Sequence, residues 1–410
     1  KAITFISENG YKEKRTWKQL NINSNKIISF LKSNNIKSGD RVAAYLPNII
    51  ETVEYFIGTS AIGAIWSSCS PDFGVKGVIE RFAQIKPKIL VIADRYYYNG
   101  KEINVIERLP EILKKIKSIK RVVVLSYPGK KLTKFKKIKG IKYFYSKDIK
   151  NIKETNHILK KFNFNHPLAI LYSSGTTGKP KCICHRTGGV LLQHLKEHQL
   201  HCEIKPGDNI FYFTTCGWMM WNWLVSSLAS KASILLFDGF PMYKKNDLLL
   251  KVVDKEKVKL LGVSAKYIDS LKKLNLKIKS KFKLKNLKVI CSTGSPLSNE
   301  GFEYIYKNVK KNVHLSSISG GTDIVSCFVL GNIYQPVYSG EIQANGLGLD
   351  VKVYSEKGKS KINQKGELVC CSPFPCVPIK FWKDNNNKKF EKAYFKRFKN
   401  TWHHGDYALK

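Results

Sequence analysis

Short apolar runs alternate with amphipathic stretches of helical length, and that alternation leaves few folds open. Arg41–Leu46, Ala64–Ser68, Ile89–Ala93 and Val122–Leu125 are apolar, too short for helices and set off by turn residues such as Gly39-Asp40 and Pro47. Thr16 precedes a stretch that puts Leu20, Ile27, Ile28 and Leu31 on one helical face. Asn48 precedes another that runs through Gly58 and Ala61. Strands joined through helices need crossovers, and crossovers give parallel sheets with helices on their faces. The pattern resumes at Leu168–Tyr172, followed by a glycine-rich loop, a helix over Val190–Leu200, and strands at Ile210–Phe213, Ser233–Phe237, Leu260–Val263 and Val289–Ser292. Beyond about residue 325 the texture changes to short β segments with Gly and Pro turns, such as Asp350–Tyr354 and Gly366–Cys371. The expected fold is α/β: two stacked, mostly parallel sheet subdomains flanked by helices, plus a small β-rich distorted barrel. The expected boundaries are 1–165 for the first α/β subdomain with a lysine-rich connection, 166–324 for the second with the glycine-rich loop, and 325–410 for the β-rich part.

A formal charge of +40 invites a nucleic-acid reading. The basic residues are 63 Lys against 8 Arg, however, and base reading leans on the arginine fork. Lys, Asn, Ile, Phe and Tyr are all residues of A/T-rich codons, so a solvated lysine surface is the simpler reading and no specific nucleic-acid partner is expected. The 10 cysteines show no repeated spacing, which fits reduced thiols and a cytoplasmic location. Cys182-x-Cys184-His185 resembles half a zinc site without a second half, so buried thiols are expected there. Lys231 and several serines break the longest apolar stretch, and no membrane span is expected. The sequence opens on Lys1 rather than methionine and reads as a soluble piece of something longer.

The most informative stretch is Tyr172-Ser173-Ser174-Gly175-Thr176-Thr177-Gly178-Lys179-Pro180-Lys181. Small residues let backbone amides approach phosphate oxygens, hydroxyls add donors, and Lys181 supplies positive charge. A Walker A loop would need glycine at Ser173 and Ser or Thr at Pro180, and the dinucleotide G-x-G-x-x-G is also absent. The stretch instead resembles the AMP-binding signature of the adenylate-forming superfamily of acyl-CoA synthetases, peptide-synthetase adenylation domains and luciferases. Further motifs follow in that superfamily's order. Ser292-Thr293-Gly294-Ser295-Pro296 is similar to the segment beside the adenine ring. Gly320-Gly321-Thr322-Asp323 stands where the superfamily has aromatic-Gly-x-Thr-Glu. The resemblance implies that Thr322 contacts the α-phosphate and the acyl carboxylate and that Asp323, one methylene short, helps hold Mg²⁺. Gly366-Glu367-Leu368 resembles the motif that opens the superfamily's β subdomain. His404-Gly405-Asp406 stands in place of T-G-D, which implies a ribose contact for Asp406.

Three stretches are similar to acetoacetyl-CoA synthetases in particular: Pro71–Phe82 with Tyr98–Lys101; Thr214–Asn222; and Ser319–Ile324 with Pro336–Gln343, then Phe381-Trp382 through Ala393-Tyr394-Phe395. The likeness spans nearly the whole chain apart from the lysine-rich connection and residues near 271–285. It implies an acyl pocket at Gly217, Trp218, Met219 and Trp221, with Trp218 limiting its depth, and acetoacetate, ATP and CoA as small-molecule substrates. Alternatives are a ligase for another short acid and a non-catalytic AMP-binding fragment. The superfamily continues with a mobile domain, whereas this sequence stops four residues after Asp406, so a fragment truncated at both ends and impaired in activity is expected. His194, His198 and His201 share one helical face, and zinc there is not expected because no acid completes the pattern.

Overall fold

A strand buried on both faces needs apolar residues at every position, and the short apolar runs supply them. The computed structural model describes residues 1–173 and 178–410. In chain order the first strands are β1 (Ile3–Ser7), β2 (Lys12–Arg15), β3 (Arg41–Tyr45), β4 (Ile65–Cys69), β5 (Ile89–Ala93), β6 (Arg95–Tyr98), β7 (Lys101–Asn104) and β8 (Arg121–Leu125). There follow β9 (Lys142–Tyr145), β10 (Pro167–Ser173), β11 (Lys181–Arg186), β12 (Asn209–Tyr212), β13 (Ser233–Asp238), β14 (Leu260–Ser264), β15 (Val289–Thr293) and β16 (His314–Ser317). The last are β17 (Ser319–Gly321), β18 (Ser326–Leu330), β19 (Ala344–Asn345), β20 (Val351–Tyr354), β21 (Lys365–Cys370), β22 (Lys380–Phe381) and β23 (Trp402–Leu409).

An eight-stranded sheet has the order β22-β11-β10-β4-β3-β5-β8-β9, and a seven-stranded sheet has the order β16-β15-β14-β12-β13-β1-β2. The eight-stranded sheet is parallel from β10 to β9; β11 alone runs against them, and β22, antiparallel to β11, points the same way as β10. The seven-stranded sheet is parallel except for β2. Two three-stranded sheets, β17-β18-β19 and β20-β21-β23, and the hairpin β6-β7 complete the fold. The α/β expectation with smaller β sheets is met, and among the described residues no helix is long and apolar enough to cross a membrane.

Three expectations change. The residue blocks 1–165, 166–324 and 325–410 do not map one to one onto the sheets. β1 and β2 sit in the seven-stranded sheet, while β10 and β11 complete the eight-stranded one. β1 reaches across because β13 offers it a parallel register from Ile3–Ile234 to Ser7–Asp238. Second, the glycine-rich loop leads into a strand before any helix. β11 returns antiparallel to β10, pairing Ser173 with Lys181, and the helix Thr187–Lys196 comes afterwards. Third, Asn48 does not cap the helix Ile50–Ala61, whose N-cap is Ile49. Thr16 does cap Trp17–Ser33, in a reciprocal box with Gln19.

Asn48 joins the two sheets instead. Its amide donates to the carbonyls of Thr214 at 3.1 Å and Phe237 at 3.3 Å, and its oxygen accepts the Trp221 indole N–H at 3.0 Å. Trp221 stacks on Trp66 of β4, centroids 6.3 Å apart at 17°, and Phe56 meets both rings edge-on. One continuous core thus runs between the sheets.

Candidate active site

Parallel strands place their carboxyl ends along one edge, which is where open α/β sheets bind ligands. β10 ends there at Ser173, whose buried hydroxyl has no hydrogen-bond partner among the described residues. Ser174, Gly175, Thr176 and Thr177 lie outside the described residues. Gly178 follows with φ +88°, a left-handed backbone that suits glycine. Lys181, at the start of β11, points its ammonium to within 3.5 Å of Asp323 Oδ1 and over the rings of Tyr394 (5.4 Å) and Phe381 (5.9 Å).

Asp323 comes from the turn between β17 and β18 of a three-stranded sheet, which follows directly on β16 of the seven-stranded one. β15 and β16 run side by side, so Gly294-Ser295-Pro296 after β15 forms an exposed turn beside the chain that enters β17. Gly320 admits no side chain, since a Cβ would fall 2.1 Å from Ser326 O, and one at Gly321 would fall 3.3 Å from His404. The turn Thr322–Val325 is closed by Ile324 N–H donating to Gly321 O and Val325 N–H to Thr322 O. Val325 has φ +50°, a strained backbone for a β-branched residue. Burial against Leu171 and Val190 holds it, with the imidazole of His194 2.6 Å from its carbonyl.

The three histidines therefore brace the fold. His194 holds Val325, and His198 meets Trp223 edge-on at 4.2 Å. His201 contacts Gly331 O at 2.8 Å and accepts from Leu347 N–H at 3.1 Å. Cys182 and Cys184 are buried thiols with pKa values pushed up by burial to about 12. Nearby His185 is driven down to about 3 by burial, so it stays neutral.

Tyr394 completes the polar centre, and sequence reasoning missed its role. Its buried hydroxyl donates to Asp323 Oδ1, and burial followed by the Asp323 charge raises its pKa, so it remains a donor. Its ring stacks on Trp402 at 3.9 Å and 13°. Trp402, His404 and Asp406 all lie on β23, which bulges against β21 between His403 and Tyr407, with Gly405 at φ +92°. His404 Nε2 lies 3.6 Å from Asp406 Oδ2, and Asp406 is 54% exposed at the side chain. Burial lowers the pKa of His404, an effect that Asp406 opposes. No spacing signal announces that a tyrosine 71 positions after Asp323 will meet it.

The acyl candidates separate. A Cβ on Gly217 would sit 2.7 Å from Phe73, so glycine is required where the helix Met219–Ser226 approaches the end of β4. Trp218 is 63% exposed. Met219 packs beside Leu171 and Val325, which ties this segment to the Thr322–Val325 turn. Trp221 is 0% exposed and faces the core between the sheets.

A lysine, a threonine hydroxyl, an orphaned serine hydroxyl and backbone turns can receive a phosphate chain. Mg²⁺ wants oxygen ligands and takes one or two carboxylates alongside phosphates. Both contacts to Asp323 fall on Oδ1, and among the described residues no group of three or more His, Cys, Asp or Glu could hold a metal. The donor set suits a metal that arrives with a nucleotide.

The AMP-binding enzyme family matches residues 1–375. Acetoacetyl-coenzyme A synthetase of Rhizobium meliloti (strain 1021) is 45% identical over 407 residues, covering 99% of this chain and 62% of its own length. The Gallus gallus acetoacetyl-CoA synthetase is 46% identical over 376 residues, covering 91% of this chain and 56% of its own. A solved structure, acetoacetyl-CoA synthetase from Streptomyces lividans, superposes with TM-score 0.93 at 33% identity, covering 100% of this chain and 62% of that one. This chain thus spans about three fifths of the length of such relatives. With the signature strand, the Thr322–Asp323 turn and β23 converging on one edge and a family match over most of its length, the chain belongs to the AMP-binding enzymes.

Proposed function

We propose that a protein carrying these residues activates a short acid, acetoacetate, with ATP and passes the acyl group to CoA. The observation that carries the reading is the meeting of Lys181 and Asp323, 3.5 Å apart, from two different sheets beside the strand that bears Asp406. The relatives at 45% and 46% identity, both acetoacetyl-CoA synthetases, support the choice of acid.

A carboxylate is a poor acyl donor because its leaving group would be oxide. Its oxygen attacks the α-phosphorus of ATP, the bond to the bridging oxygen breaks, and pyrophosphate leaves, which gives a mixed anhydride. CoA thiolate then attacks the acyl carbon and AMP departs with the oxygen. Negative charge accumulates on phosphate in the first step, so its stabilisers are fixed donors and cations. Ser173 through Gly178 and Lys181 cradle the phosphates, and Thr322 donates its hydroxyl to the α-phosphate and the acyl carboxylate. Gly294, Ser295 and Pro296 flank the base, Gly321 lets the turn close on His404, and Asp406 accepts from the ribose hydroxyls. Asp323 would hold Mg²⁺, which when bound supplies charge neutralisation on the phosphates. Gly217, Trp218 and Met219 border the acyl group, which leaves Trp221 to support them from the core.

The test is acid-dependent ATP–pyrophosphate exchange, by a protein that includes these 410 residues, across acetate, butyrate, acetoacetate and hexanoate. Acetoacetate should give the highest rate. A higher rate with another acid moves the substrate assignment, and loss of MgATP binding removes the reading altogether.

A further inference from the structure

We propose that Tyr394 is a positioning residue that sets how Asp323 meets the metal carried by the nucleotide, an inference that rests on the ATP reading above. Aspartate 323 is half-buried and short, and its Oδ1 is claimed twice, by the Tyr394 hydroxyl and by the Lys181 ammonium. Those claims differ in kind. Lys181 sits on a flexible stem, 29% exposed at the side chain, and can leave for a phosphate. The tyrosine cannot leave. Its ring is clamped between the stack on Trp402 and edge contacts from Phe381 at 5.6 Å and Phe390 at 5.2 Å. Its hydroxyl donates to Asp323 Oδ1 from that fixed ring.

The consequence is an exchange with one fixed member. While Lys181 rests on Asp323, the carboxylate is balanced and held. When a nucleotide draws Lys181 away, Tyr394 still pins Oδ1, which leaves Oδ2 to face the incoming metal. Free ATP without the metal would draw away the lysine and leave a carboxylate facing phosphate unneutralised. The arrangement therefore selects metal-loaded nucleotide over the bare polyanion. The stack on Trp402 also ties the Asp323 carboxylate to the strand that carries Asp406, so metal and ribose contacts share one rigid reference. A merely structural account has the tyrosine use Asp323 as the partner that a buried hydroxyl requires. That account predicts no effect on metal dependence.

Calorimetry on the 410-residue chain separates the two. ATP is titrated with Mg²⁺ in excess and again with EDTA, into wild type, Tyr394→Phe, and the double variant Tyr394→Phe/Asp323→Glu. Phenylalanine keeps the stack and removes only the hydroxyl. The expected result is a loss of MgATP affinity of about tenfold in Tyr394→Phe, the size of one charge-assisted hydrogen bond. Affinity in EDTA should change less than about twofold, and the melting temperature should shift little. Glutamate carries its carboxylate one methylene farther and needs no prop, so the double variant should recover most of the MgATP affinity. Should the single variant melt too low to titrate, the stabler of the two still decides, because a merely structural defect would not be repaired at position 323. Equal losses with and without Mg²⁺, or no recovery in the double variant, overturn the inference and leave the ATP reading standing. A wild-type chain that fails to bind MgATP overturns both.

Discussion

Lys181 changes partner in the proposed cycle, resting on Asp323 when no phosphate is present and on phosphate when ATP binds. Lys181→Ala should weaken MgATP binding by about tenfold to a hundredfold, the loss of one charged contact, with the fold retained. Unchanged affinity by calorimetry would sink the loop assignment. The two tryptophans of the proposed acyl segment should behave in opposite ways. Trp221 is buried on Trp66, so Trp221→Ala should cost about 3–5 kcal/mol in a denaturant titration. Trp218 is exposed, so Trp218→Gly should leave stability nearly unchanged and shift exchange rates toward longer acids by a graded ~1–3 kcal/mol. An unaltered chain-length profile would reject Trp218 as the wall. Asp238 offers a pH test. Burial pushes its pKa up to about 7, and Tyr127 donates to it at 2.9 Å. The unfolded chain ionises this group first, so its contribution to stability declines as pH rises from about 4 to 7 and then stays level. In melting scans, Asp238→Asn should therefore gain on wild type from pH 5 to 7.5 and no further. A difference that does not vary with pH would contradict the raised pKa.

At the level of elements, loops at this edge are held by acids placed under them. Glu8 follows β1 and accepts backbone N–H groups from Asn99 at 2.8 Å, Gly100 at 2.7 Å and Phe240 at 2.7 Å, which clamps the β6–β7 hairpin to the segment after β13. Glu8→Ala should destabilise the protein by about 2–3 kcal/mol and speed hydrogen exchange at Asn99 and Gly100. Unchanged exchange there would mean that the contact of Tyr98 with Phe240 suffices. Which elements were legible follows from how they are buried. β5, Ile-Leu-Val-Ile-Ala, is covered on both faces, and its limits were readable to the residue. β11, Lys-Cys-Ile-Cys-His-Arg, escaped notice because charged ends and cysteines mask a run whose middle is fully buried. The helix expected directly after the loop was thus displaced by a strand. The phosphate signature needed only its own residue types to be recognised, whereas Tyr394 depends on a turn and a strand meeting from distant parts of the chain.

For the whole molecule, what sequence order could not reveal is which strand joins which sheet. The alternation of strands and helices implied parallel sheets, but it carried no information that β1 would leave its neighbours for β13. That pairing joins Ile3 to Ile234, 231 positions apart. On a ribosome adding about 5–20 residues per second, the strand Ile-Thr-Phe-Ile-Ser waits roughly ten to fifty seconds for its partner to be made. During that interval it is a free, β-branched, aromatic edge of the kind that seeds association between nascent chains. β2 folds back on β1 at once and closes the opposite edge with Lys12 and Lys14 in it, so that one edge of the strand rather than two stays open. The early hairpin thus halves the exposure of a strand whose permanent place does not yet exist.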